Sequence, residues 1–179
     1  MYFLNYFYIK TLKFDLINKF YYIDLKKLPK LKQVVLNFSF KTLNLKEITA
    51  NLLALELITN QKSTLTISKR PNFLLKIKKG NPTGCKLTLR KTSMINFIFK
   101  SLNEIFSNMK NFNGIIINQK LEKNTLSFSL KNILNFFKLK EHYQIFSNLS
   151  NLNLSFTTNV KTNKEIIFLL KSLNFPLKF

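Results

Sequence analysis

The sequence predicts an α+β fold: a largely antiparallel sheet with helices packed mainly on one face and a protruding basic loop. Three observations carry that expectation. Segments that alternate with period two are interspersed with segments of helical spacing, without the strict strand–helix–strand rhythm of a parallel sheet. Turn chemistry concentrates in one place, Lys79-Gly-Asn-Pro-Thr-Gly84. Apolar residues make up 46% of the 179, enough for a core that needs neither metal nor disulfide. That length favours a single domain over 1–179, with 68–84 as its projecting loop.

Each element has its own signal. Asp15–Tyr22 is predicted as the first helix, with Phe14, Ile17, Phe20 and Tyr21 as its apolar residues. Pro29 closes an irregular stretch, and Gln33–Phe40, rich in β-branched and aromatic side chains, reads as a strand. Asn44 with Glu47 three residues on has the form of a capping box. It opens a helix to about Thr59 that places Leu45, Ile48, Leu52 and Leu55 on one face. Thr64–Ser68 alternates as a strand, Phe73–Lys78 is expected to be extended, and Cys85–Arg90 alternates again.

Thr92 or Ser93 can cap a helix carrying Met94, Phe97, Ile98, Ile105 and Phe106, and Gly114 marks the turn after it. Ile115–Asn118 and Thr125–Leu130 read as strands flanking a polar loop, Lys120–Asn124. Two short helical pieces are expected between Asn132 and Asn148. Leu152, Leu154 and Phe156 alternate with Asn153, Ser155 and Thr157 as a strand. Thr162 with Glu165 repeats the capping-box form before a last helix to about Leu173, and Pro176 stops it.

Charge narrows the function. The net charge is +21, and self-repulsion of that size is relieved by a polyanion through counterion release. From Leu57 to Asn103 there is no acid, while Lys62, Lys69, Arg70, Lys76, Lys78, Lys79, Lys86, Arg90, Lys91 and Lys100 are cationic. The chain's two arginines, Arg70 and Arg90, both lie there, and a guanidinium grips phosphate bidentately where an ammonium cannot. The expected partner is RNA. If about six phosphates were neutralised, affinity would fall by roughly three decades between 50 and 200 mM salt.

Other classes find little support. One cysteine, Cys85, excludes an internal disulfide and a cysteine metal cluster, and with one histidine, His142, a histidine metal site lacks parts. The plain readings are a small buried thiol and a surface imidazole. The eight acids are scattered, and no Walker loop, nucleophile elbow or metal motif occurs, so the chain is not expected to be an enzyme or to need a cofactor. No apolar run approaches the ~18–20 residues that span a bilayer. The aromatic start lacks a preceding basic segment and a small-residue cleavage site, so no signal peptide is expected. The competing reading is a polybasic peripheral membrane-surface protein. It calls for a long basic amphipathic helix, whereas the densest charge falls on strands and turns.

Gly80-Asn-Pro-Thr-Gly-Cys-Lys-Leu-Thr-Leu-Arg90 resembles the G-x-P-x-G-C-K-V-T-L-R signature of the universal large-subunit ribosomal protein five family, the 5S-rRNA-binding proteins of the central protuberance. The likeness extends along the chain. Leu28-Pro-Lys30 and Val34-Val-Leu-Asn37 are similar to its V-P-R and I-T-L-N, and Ile58-Thr-Asn-Gln-Lys62 with Thr66 to its G-Q-K-P-x-x-T. Phe112-Asn-Gly114 resembles its F-R-G; Phe156-Thr-Thr158, Glu165 and Asn174-Phe-Pro176 resemble its closing T-T-x-A, acidic helix start and D-F-P. The chain departs from the pattern at Phe38-Ser-Phe-Lys41, where two glycines are lost, at Ser63 for a proline, and at Ser129 and Asn132. At the loop tip, basic-Ser-Val-Ala-Gly becomes Arg70-Pro-Asn-Phe-Leu74, which is stiffer and bulkier.

The resemblance implies a structural constituent of the large ribosomal subunit. Its rRNA-binding residues would be Asn37, Gln61, Lys62, Thr88 and Arg90, facing 5S rRNA (or its replacement) and large-subunit rRNA. Lys69, Arg70, Lys76, Lys78 and Lys79 would form the loop that contacts P-site tRNA. Lys120, Lys123 and Asn124 are the expected intersubunit bridge to a small-subunit head protein, with neighbouring large-subunit proteins as further partners and no membrane insertion. Two readings stay open for Phe73: stacking on a base or ribose, or packing within the loop. Heavy use of Phe, Lys, Asn, Ile and Leu is what a very A+T-rich genome produces, and such small genomes are often organellar. The expected location is the mitochondrial matrix and its ribosome, with the chain encoded in the organelle.

Overall fold

A computed structural model describes residues 6–22, 24–40, 44–74, 76–109, 114–116, 121–122, 124–131, 133–160 and 162–178. Alternation decides the sheet. In β1 (Leu31–Ser39), Val34, Leu36 and Phe38 are buried while Gln33, Val35 and Asn37 between them are partly exposed. The same one-in-two burial runs through β3 (Pro82–Leu89), β6 (Thr125–Leu130) and β7 (Leu152–Thr158). With β2 (Thr64–Ile67) and β5 (Leu121–Glu122) they form a six-stranded sheet in the order β2-β3-β1-β7-β6-β5. β2 and β3 are antiparallel, Thr64 opposite Lys86 and Leu65 opposite Cys85, with a register shift between Thr66 and Ile67. β5 and β6 are antiparallel too, whereas β4 (Ile115–Ile116) and β8 (Leu177–Lys178) make a separate parallel pair. The predicted α+β class with a largely antiparallel sheet is what the chain forms.

The chain divides into two compact units. The first holds Met1–Val34, Leu89–Phe128 and Ser155–Phe179. Its helix α1 (Lys13–Phe20) follows a π-helical stretch, Tyr8–Leu12, so helical structure begins earlier than predicted. α3 (Lys91–Lys100) runs on into π-helical Ser101–Phe106. The last helix (Asn163–Ser172) follows Thr162, whose hydroxyl donates to Glu165 Oε1 at 2.8 Å. The predicted pair therefore meets side chain to side chain, not through the backbone. Aromatic packing knits this core: Phe156 stacks on Phe128 with centroids 5.7 Å apart and meets Phe175 edge-on at 5.2 Å.

The second unit holds Val35–Thr88 and Ser129–Leu154. α2 (Leu45–Thr59) buries Ile48, Asn51, Leu55 and Ile58 and contacts the short helices α4 (Phe137–Lys140) and α5 (Tyr143–Phe146). Leu45, predicted for that face, is 78% exposed, because the buried stripe passes through Asn51. Asn51 tolerates burial because its amide is satisfied: Nδ2 donates to Glu47 O at 2.8 Å, and Oδ1 accepts from the Ser150 hydroxyl at 3.1 Å. α2 ends where Asn60 turns left-handed at φ 55°, a conformation asparagine bears better than most residues. None of the described helices is long and apolar enough to cross a membrane.

Candidate nucleic-acid interface

Because one side of each strand is committed to the core, the opposite side carries the available chemistry. In the second unit those outward positions include Asn37 on β1, Thr66 on β2, Lys86 and Thr88 on β3, and Asn153 on β7. In the first unit they include Gln33 on β1, Ser127 on β6, and Ser155 and Thr157 on β7. β1, β2, β3, β6 and β7 contain no acid. The outward surfaces are thus uncharged hydrogen-bonding groups with added cations, a set that suits 2′-hydroxyls and phosphates together.

Of the five residues expected to bind rRNA, four lie in the second unit. Asn37 and Thr88 are outward and partly exposed; Gln61 and Lys62 are exposed in the link from α2 to β2. The left-handed turn at Asn60 sets that link, and buried Ser63 anchors its far end by donating its backbone N–H to Glu56 Oε1 at 3.2 Å. Arg90 lies in the first unit, immediately after β3. Its Nε and Nη2 donate to Gln33 Oε1 at 3.3 and 3.2 Å. Lys91 beside it has φ 50°, a left-handed conformation that turns the chain sharply into α3. Gln33 as Arg90's holder and Lys86 as an outward cation were not singled out from sequence. Strand parity identifies Lys86, while the Arg90–Gln33 pair spans 57 positions and has no local signal.

The five loop cations, Lys69, Arg70, Lys76, Lys78 and Lys79, are all exposed. Their backbone is well defined. Ser68 N donates to Asn81 O at 2.9 Å and Gly80 N to Ser68 O at 3.0 Å, which closes the base of the loop. Phe73–Lys78 is not extended as expected. Asn72 and Ile77 exchange two backbone bonds, at 2.9 and 3.0 Å, and the chain reverses between them with Lys76 at φ 52°. Gly80, at φ 91°, makes the return turn, a conformation that costs glycine little.

Gly84 serves differently from the turn role expected for it. It lies inside β3, and a Cβ there would stand 2.3 Å from the Phe38 carbonyl oxygen, so glycine is required by the close approach of β1. Of the predicted bridge residues, Lys120 and Lys123 fall outside the described residues. Asn124 is exposed, and its carbonyl accepts from Thr158 N at 2.9 Å and Thr158 Oγ1 at 3.1 Å.

Catalytic parts do not assemble. Cys85 is fully buried, and burial pushes its thiol up to about 12; His142 is exposed. Among the described residues no three of His, Cys, Asp and Glu come together to hold a metal.

Comparison with known proteins places this geometry. The family model for the C-terminus of the ribosomal uL5 family matches residues 82–177, more than half of the chain. Large ribosomal subunit protein uL5m of Reclinomonas americana is 31% identical over 172 residues, covering 95% of this chain and 94% of that protein. Large ribosomal subunit protein uL5c of Euglena gracilis is 31% identical over 174 residues, covering 96% of both. Large ribosomal subunit protein uL5 of Malacoplasma penetrans is 29% identical over 171 residues, 94% of this chain and 90% of that one. Mitochondrial, chloroplast and bacterial relatives are therefore similar to nearly the same degree.

Proposed function

The chain belongs to the uL5 family of large-ribosomal-subunit proteins, structural components of the ribosome and not enzymes, and we propose that it holds 5S rRNA, or the RNA replacing it, in the central protuberance. The observation that carries this reading is the acid-free set of strands whose outward positions bear Asn37, Lys86 and Thr88. Exposed RNA backbone offers 2′-hydroxyls and phosphate oxygens together, and mixed donors and acceptors with sparse cations meet both. Gln61 and Lys62 extend that surface from the α2–β2 link. Arg90, held by Gln33, presents its remaining guanidinium N–H groups to a phosphate of the same rRNA or of the large-subunit rRNA.

Residues 68–84 are the projecting loop that contacts P-site tRNA. Exposed cations on a backbone-bonded hairpin track phosphates without reading sequence, as contact with every tRNA requires. Lys120, Lys123 and Asn124 help form the bridge to a small-subunit head protein, and other faces meet neighbouring large-subunit proteins. The working place is the mitochondrial ribosome, a reading supported by the A+T-type residue usage and by the similarity to a mitochondrial relative.

Crosslinking the chain to RNA in purified ribosomes and sequencing the attached RNA tests this. Reads from 5S rRNA or a central-protuberance segment of large-subunit rRNA are expected. Reads from the small subunit alone would overturn it.

A further inference from the structure

Phe73 and Leu74 are the two most exposed large hydrophobic residues described, at 91% and 95%. Single exposed apolar side chains are ordinary, but these two are adjacent, at the tip of a hairpin, and encircled by cations. The turn that carries them is fixed. Lys76 N donates to Phe73 O at 3.2 Å, Asn72 Oδ1 accepts from Leu74 N at 3.1 Å, and the Asn72–Ile77 bridge closes the turn below. Nothing in that geometry folds the ring back onto the loop, so the reading of Phe73 as a loop-packing residue fails.

We propose that Phe73, backed by Leu74, is a nucleobase-stacking wedge: the tip lays the phenyl ring on the exposed face of a tRNA base while the flanking cations hold the phosphates on either side. The proposal rests on the reading of 68–84 as the tRNA-contacting loop and adds what the tip itself binds. Charge selects the partner. Lys69, Arg70, Lys76, Lys78 and Lys79 surround the tip and no acid lies between Leu57 and Asn103, so a phosphate-bearing partner is favoured over an ordinary protein surface. Every base has a π-face, so an aromatic platform with cations binds without sequence preference. The ordering cost is small, because the turn is already bonded before the partner arrives.

The chain contains no tryptophan, so Phe73→Trp installs a unique fluorophore at the tip. Full-length F73W titrated with deacylated tRNA is expected to show quenching of that fluorophore, as stacking on a base requires. Phe73→Ala is expected to weaken tRNA binding roughly five- to hundred-fold, the range for losing one base–aromatic stack, with an unchanged salt slope. Phe73→Leu should be nearly as weak as Phe73→Ala. An unquenched or merely blue-shifted emission, or an F73L affinity equal to wild type, would overturn stacking in favour of plain apolar docking. The parallel variant Arg70→Ala/Lys78→Ala separates the two levels: a salt slope reduced by about two with a silent F73W refutes the wedge alone. No change from either variant refutes the tRNA loop as well. Thermal unfolding of each variant should match wild type, since these side chains are solvent-exposed.

Discussion

Replacing Gly84 by alanine attacks the sheet at its tightest point. The new Cβ would lie 2.3 Å from the Phe38 carbonyl oxygen and 3.4 Å from its carbon, both backbone atoms that no rotamer can move. Bringing the first contact to the 3.0 Å limit of real Cβ contacts requires β1 and β3 to part by about 0.7 Å. The bond from Phe40 N to Thr83 O, now 3.0 Å, would then lengthen to about 3.7 Å and cease to be a hydrogen bond. Losing one or two such bonds at roughly 1 kcal/mol each, with the overpacking strain, gives about 2–4 kcal/mol. For a chain of this length that is a fall of about 4–16 °C in Tm by calorimetry or circular dichroism. Gly80→Ala is the control. Nothing stands within 4 Å of its Cβ, and it costs only the backbone strain of φ 91°, about 1–2 kcal/mol. A G84A protein as stable as wild type would refute the derivation of that glycine from strand approach.

Three further outcomes follow from particular residues. Cys85 is pushed up from 9.0 to about 12 by burial, so the unfolded chain releases its proton above pH 9 while the native chain retains it. Stability is therefore untouched by this group below pH 9 and falls by about 1.4 kcal/mol per pH unit above it; Cys85→Ser should flatten that slope, and equal alkaline slopes would contradict the burial argument. Lys91→Gly should raise stability by about 1 kcal/mol in chemical denaturation by relieving the left-handed φ of 50°, and a loss of stability would show that the lysine side chain is needed there. Arg70→Ala with Lys78→Ala should lower tRNA-dependent activity of assembled ribosomes more than subunit assembly; failure of assembly instead would make the loop an rRNA anchor.

Strands were the most legible feature of the sequence, because burial on one side imposes period two. Asn37 and Thr88 could be placed outward on that basis. The turn at Phe73–Lys78 was not legible: it is made by Lys76 in a left-handed conformation and by the Asn72 side chain, without the Asn-Gly or Gly-containing dipeptides that usually announce a hairpin. Leu45 misled because its spacing fits the α2 stripe, yet the buried face includes a polar residue, Asn51, whose partner Ser150 is 99 positions away. Gly84 read as turn chemistry because it closes a Gly/Pro-rich run. Its need for glycine arises between strands, where only tertiary structure can express it. Arg90 stood out by its rarity, but what orients it is Gln33, and no sequence period links the two.

Lys86 offers the most direct test of the sheet as an RNA surface, since it is exposed and points away from the core on β3. A photoreactive side chain placed there, in chains assembled into ribosomes, should crosslink to 5S rRNA or to the large-subunit RNA that stands in its place. Crosslinks only to neighbouring proteins, with no ribosomal RNA attached, would contradict it.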